Sequence, residues 1–170
     1  MVCARRLVGS GAIVQVVLSR AREAFATVPG HQLSILHKMG VPCSVAGEYD
    51  GPAAVDLVVD GLIGYSLEGS PRGTAADLIR WANQQDSPVL SLDVPSGIDA
   101  GSGEVFDPAV RATATLTLAL PKNGLRAAGD SVGELYLADI GVPPSLFASP
   151  SLALPPVGPI FATGEIVRLK

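Results

Sequence analysis

Two apolar runs, "VDLVVD" and "SPVLSLD", each close on an aspartate, Asp60 and Asp93, and a helical pattern lies between them. Short apolar runs of this kind suit strands covered on both faces, which have no solvent side to fill with polar residues. The intervening "TAADLIRWANQQ" sets Ala76, Leu78, Ile79 and Trp81 on a helix packed on one face, with Trp81 read as core. Strands alternating with helices across short connections imply βαβ units and a mostly parallel sheet.

The alternation runs through most of the 170 residues. "MVCARRLVGSG" reads as the tail of a helix stopped at Gly9 or Gly11, and "AIVQVVLS" as a strand. "REAFATVPGHQLSILHKMG" carries helical spacing at Leu33, Ile35, Leu36 and Met39 before Gly40, and "VPCSVA" is a second strand. "RATATLTLALPKNGL" and "GELYLADIGVP" supply two more strands. From Pro143 to Lys170 the chain is rich in Pro, Ser and Ala, with no clear period until "EIVRLK". Hydrophobic residues make up 48% of the chain and aromatics only 5%, so the core is expected to be aliphatic, as in an α/β layer fold of one domain.

A net charge of -4 gives no positive field for nucleic acid or anionic lipid, so neither is expected as a partner. Cys3 and Cys43 form no CxxC pair and read as small buried hydrophobes in a reducing compartment. His31 and His37 give no metal signature. No apolar run reaches the roughly 18 residues of a membrane span. A secretory reading of the first residues fails at Gly9, Ser10, Gly11 and Gln15, which interrupt the apolar stretch after Arg5 and Arg6. The expected location is the cytoplasm.

In an open parallel sheet, ligands bind beyond the carboxyl ends of the strands. If the strands ending at Asp60 and Asp93 are neighbours, their carboxylates crowd one edge and need a proton, a cation or a hydrogen-bonding ligand. Ser96 and nearby carbonyls suit a hard cation, since no His or Cys stands there. The plainer alternative is that each Asp opens a turn that Pro-Ser-Gly completes. The loop "GYSLEGSPRG" brings Gly64, Gly69 and Gly73 ahead of a helix, where free amides and Arg72 favour phosphate. Ser70-Pro71 stands where a Walker A loop needs its lysine, and no G-x-G-x-x-G is present, so neither a triphosphatase nor an ordinary dehydrogenase fits. Lys122 follows a third strand end; Lys-Asn-Gly explains it as a turn, and pairing with a phosphate or an aspartate is the other reading.

"DLVVDGLIGYSLEGSPRG", "VLSLDVPSGIDAGSGEV", "ATATLTLALPKNGL" and "YLADIGVP", in that order, resemble the YjeF amino-terminal domain family, the NAD(P)H-hydrate epimerases. The resemblance implies a three-layer α/β/α Rossmann-like sandwich with a mostly parallel sheet over residues 1–147, and leaves 148–170 as a tail of uncertain order. It implies a homodimer that binds potassium (K+) and interconverts the R and S forms of hydrated NADH or NADPH, beside a partner NAD(P)H-hydrate dehydratase. By motif, Asp60 and Ser96 would coordinate potassium. Gly64, Tyr65, Ser66, Leu67, Glu68, Gly69 and Ser70 would hold the dinucleotide. Asp93 would contact the hydrated ring and act as the general acid and base.

The family also carries an Asn- and Gly-rich loop of the NNGGDG type after its first strand, with potassium and dinucleotide contacts. This sequence begins at "MVCARRL", which resembles the helix after that loop, so the domain is expected to be truncated at its N-terminus and its activity alone weakened. The competing expectation is a catalytically inactive binding or scaffold module of the same family.

Overall fold

Most of the apolar runs become short strands, and of the three crossovers between successive parallel strands of the main sheet two carry helix, while residues 93–113 cross as loop. The computed structural model describes residues 1–48, 54–148, 160–162 and 164–169. It divides into two compact units, Met1–Ala53 and Ala54–Lys170.

The first unit runs α1 (Val2–Gly9), β1 (Val16–Leu18), a 3-10 turn (Arg22–Ala24), α2 (Thr27–Lys38) and β2 (Cys43–Val45). β1 pairs in parallel with β2, Val16 opposite Cys43. Leu33 and Leu36 are the buried residues of α2. Met39, expected on the same stripe, instead caps the helix and is exposed, because α2 ends at Lys38 and Gly40 turns the chain away. Cys3 and Cys43 are free thiols, half-buried rather than buried as expected. Burial pushes the Cys43 thiol up from its ordinary value, against the opposing pull of the nearby Arg22.

The second unit contains β3 (Val58–Asp60), α3 (Gly73–Asn83), β4 (Val89–Leu92), β5 (Ala114–Leu118), α4 (Asn123–Ala127), β6 (Glu134–Ala138), α5 (Pro144–Phe147) and β7 (Ile166–Arg168). Its sheet has the order β3-β4-β5-β6-β7, parallel except for β7, which runs antiparallel to β6. In this unit α3 buries Ala76, Ile79 and Ala82, spaced three apart, and Ile79 and Ala82 join a cluster with Val58, Val89, Val110 and Ala112. Trp81, expected as core, is half-buried against this cluster. A second cluster joins Val94, Ile98, Ala100, Leu125, Ala128, Val132 and Leu135.

Two expectations change here. Asn123-Gly124 is no turn: Asn123 opens α4, and a side chain at Gly124 would stand 2.5 Å from the Asp99 carbonyl oxygen, so close approach is what the glycine serves. Of the tail over 148–170, residues 149–159, 163 and 170 lie outside the described residues, while Ile166–Arg168 pairs with Tyr136–Ala138. No helix among the described residues is long and apolar enough to cross a membrane.

Candidate functional site

The ends of β3, β4 and β5 meet at one edge of the sheet, since these strands are parallel neighbours. Asp60 is the last residue of β3, in register with Ser91, which is in register with Thr115. Residues in register on parallel strands share a face, so Asp60 turns to the covered side and is only 3% exposed. There Oδ2 accepts from the Ser91 hydroxyl (2.9 Å) and the Ser96 N–H (2.9 Å), and Oδ1 from the Ser96 hydroxyl (2.6 Å) and the Leu62 N–H (3.2 Å). The Ser96 oxygen also accepts from the Ile63 N–H (2.9 Å) and lies 3.1 Å from the Ile63 carbonyl oxygen. A side chain at Gly97 (φ +100) would meet Ala109 Cα at 2.5 Å, so a glycine is needed to seat this loop.

Asp93 lies one residue beyond β4 and holds φ at +72, a region sparsely used by residues other than glycine. The Val94 N–H donates to the Leu92 carbonyl (3.0 Å) across it, which is the strained γ-turn. The end of β5 repeats the device: Ala119 has φ +64, and the Leu120 N–H donates to the Leu118 carbonyl (2.7 Å). Strain of this kind costs about 1–3 kcal/mol per residue and persists where the surroundings fix it. Here the Asp93 N–H donates to the Leu116 carbonyl (2.8 Å), and Lys122 Nζ stands 2.5 Å from Asp93 Oδ1. Asp93 Oδ2 accepts no hydrogen bond among the described residues and faces Gly64, where an added Cβ would lie 3.5 Å away.

The sequence-predicted residues thus fall into two networks rather than one crowded carboxylate pair. Asp60 and Ser96 come together, and Gly64 meets Asp93. Tyr65, Ser66, Glu68, Gly69 and Ser70 line the exposed loop between β3 and α3, with Leu67 half-buried and Tyr65 73% exposed. Of the two readings of Lys122, pairing with an aspartate is the one seen. Sequence reasoning missed Ser91 and Ala119. Ser91 had a signal, since period two places it on the face of β4 that carries Val89 and the register matches it to Asp60. Ala119 had none, because alanine does not favour left-handed backbone.

The oxygens a hard cation would use at this site are the buried Asp60 carboxylate, the Ser96 hydroxyl and the Ile63 carbonyl; two backbone N–H groups also donate to the carboxylate, and no cationic side chain among the described residues pairs with it. No group of three His, Cys, Asp or Glu residues among the described residues is arranged to hold a metal ion.

The model of the family described as YjeF-related protein N-terminus matches residues 1–124. Over 170 residues the chain is 41% identical to the NAD(P)H-hydrate epimerase of Dehalogenimonas lykanthroporepellens, covering 97% of this chain and 65% of that protein. To the bifunctional NAD(P)H-hydrate repair enzyme Nnr of Salinibacter ruber it is 35% identical, covering 85% of this chain and 30% of that one. The chain therefore spans just under two thirds of the first relative and under a third of the second. The crystal structure of the yeast protein ynu0, YNL200c, matches with a TM-score of 0.78 at 22% identity, covering 99% of this chain and 70% of that chain. That likeness shows the fold, the Rossmann-like α/β arrangement on a mostly parallel sheet expected from the sequence. With the four quoted motifs inside the aligned length and the family model taking in most of the chain, this protein belongs to the YjeF-related protein N-terminus family.

Proposed function

We propose that the chain interconverts the R and S epimers of hydrated NADH or NADPH, which carry a hydroxyl at C6 of the reduced nicotinamide ring. The observation that carries this reading is Asp93: it sits in a strained turn at a strand end, with one carboxylate oxygen tied and the other open beside Gly64. Names borne by relatives at 41% and 35% identity support the substrate.

In this reading the Gly64–Ser70 loop holds the dinucleotide, its glycines letting the backbone approach the phosphates ahead of α3. Asp93 Oδ2 meets the C6 hydroxyl. Inversion at C6 follows one of two routes, and both use the same proton. Asp93 gives a proton to the hydroxyl as it leaves as water and takes one back when water adds to the other face; or it takes the hydroxyl proton as the C6–N1 bond opens and hands it to N1, then takes it from N1 and returns it to the oxygen as the ring closes on the other face. Either way the aspartate ends in its starting state.

Asp60 and Ser96 are the residues that would hold potassium, with the Ile63 carbonyl at hand. When bound, the ion supplies positive charge beside a buried carboxylate. The reading carries with it a cytoplasmic homodimer whose product is taken up by a dehydratase acting on one epimer. Two free thiols fit a reducing compartment, and a bifunctional repair enzyme among the relatives fits the coupling.

The test is the rate of epimer exchange, followed by chromatographic separation of the R and S forms. Asp93→Asn is expected to lower it by about 100-fold or more. Exchange at the wild-type rate removes Asp93 from the chemistry, and no exchange by the wild-type chain leaves a binding module.

A further inference from the structure

Lys122 has no part in the function proposed above. Its ammonium stands 2.5 Å from Asp93 Oδ1 and 2.7 Å from the Leu118 carbonyl, and its side chain is only 16% exposed. A lysine ordinarily keeps its charged end in water, and ordering the long side chain costs about 1.5–2 kcal/mol of rotamer entropy. Here two acceptors converge on it instead.

Both acceptors belong to strained turns. Leu118 is the residue before Ala119, and its carbonyl also takes the γ-turn hydrogen bond from Leu120; Asp93 is the centre of the other turn. One ammonium therefore bridges the ends of β4 and β5. The Leu118 N–H also approaches Asp93 Oδ1, at 3.4 Å. Both contacts fall on Oδ1, which leaves Oδ2 facing Gly64.

We infer that Lys122 is a positioning residue: it pins Asp93 Oδ1 and so fixes Oδ2 as the oxygen that meets the substrate. The inference rests on the acid and base role proposed for Asp93. Without the ammonium the carboxylate turns about its χ2 bond and the two oxygens exchange places. A direct contact between Lys122 and a ligand phosphate is the competing role, and it has a different kinetic signature.

The experiment has two arms on the full chain. In the first, epimer exchange is measured for the wild type and Lys122→Met, with urea denaturation confirming that the variant folds. Lys122→Met is expected to lower kcat by about 10- to 100-fold, the scale of a misplaced catalytic group. KM is expected to change by less than about twofold, because no ligand contact is lost. A raised KM with unchanged kcat overturns the inference. The second arm needs no activity: the Lys122 ammonium signal is followed by nitrogen-15 NMR in the wild type and in Asp93→Asn. Its exchange with water is expected to be slow in the wild type and at least about 10-fold faster in the variant, as a lost charged hydrogen bond requires. Equal exchange rates overturn the inference even in an inactive chain. A wild type with the protected ammonium and no epimer exchange counts against the proposed function alone.

Discussion

Ser96 grips both oxygens of Asp60 at once, its N–H 2.9 Å from Oδ2 and its hydroxyl 2.6 Å from Oδ1. The pair closes the loop after β4 onto the end of β3. A carboxylate taken out of water needs donors at each oxygen, and this chain supplies them from a residue 36 positions away.

Removing that grip is expected to destabilise the fold. Ser96→Ala leaves Oδ1 with only the 3.2 Å bond from Leu62 and strips the Ile63 N–H of its acceptor. A hydrogen bond to a charged, buried group is worth about 1.5–3 kcal/mol, so a loss of about 2 kcal/mol is expected. Urea denaturation reads it as a lower midpoint at unchanged slope. A change under about 0.5 kcal/mol would mean that the loop stays closed by other contacts.

If Asp60 and Ser96 hold potassium, the ion stabilises the folded chain by mass action. Replacing sodium chloride with potassium chloride at fixed ionic strength is expected to raise the wild-type Tm. Asp60→Asn is expected to abolish the difference between the two salts. A wild-type Tm indifferent to the cation refutes the assignment.

Asp93 is expected to trade stability for its role. Asp93→Gly and Asp93→Ala both lose the ion pair with Lys122, so the difference between them isolates the backbone strain at φ +72. Glycine is expected to be the more stable by about 1–2 kcal/mol, the left-handed penalty for a residue with a Cβ. Equal thermal midpoints for the two variants would show that the turn relaxes once the carboxylate is gone.

Asp99 should contribute to the acid limb of stability. The Ser102 N–H (2.6 Å) holds its carboxyl below the ordinary carboxylate value, helped by the Ser102 hydroxyl (2.9 Å) and the Gly101 N–H (2.9 Å). Because the folded value is the lower one, the stabilisation is present above the unfolded value of about 3.9 and fades as pH falls through the folded value. Asp99→Asn is therefore expected to unfold more easily than the wild type at neutral pH, with the gap closing in acid. Parallel stability curves from pH 7 down to about pH 2 would contradict this.

Much of the architecture was legible as pattern. The apolar runs at Val58–Asp60 and Val89–Leu92 and the Ala76 and Ile79 positions of α3 are one-dimensional signals, because burial repeats with the period of the element, whereas Leu78 and Trp81, read on the same face, are half-buried and Ala82 completes it. The same reasoning brought Asp60, Asp93 and Ser96 to one edge, since parallel neighbours end together. It overreached at Asn123-Gly124 and Met39, where a local preference met a neighbour that pattern does not display.

The amino-acid order by itself determined the α/β class, the strand ends at which Asp60 and Asp93 stand and the glycine-bearing loop before α3, all of which follow from local periodicity and from what short loops permit. Only the tertiary structure decided how those groups divide. Strand register set Ser91 beside Asp60, and two left-handed turns brought Lys122 onto Asp93 across 29 residues. Such pairings depend on distances between segments far apart in the chain, which the close packing of the whole sheet fixes and no local preference encodes.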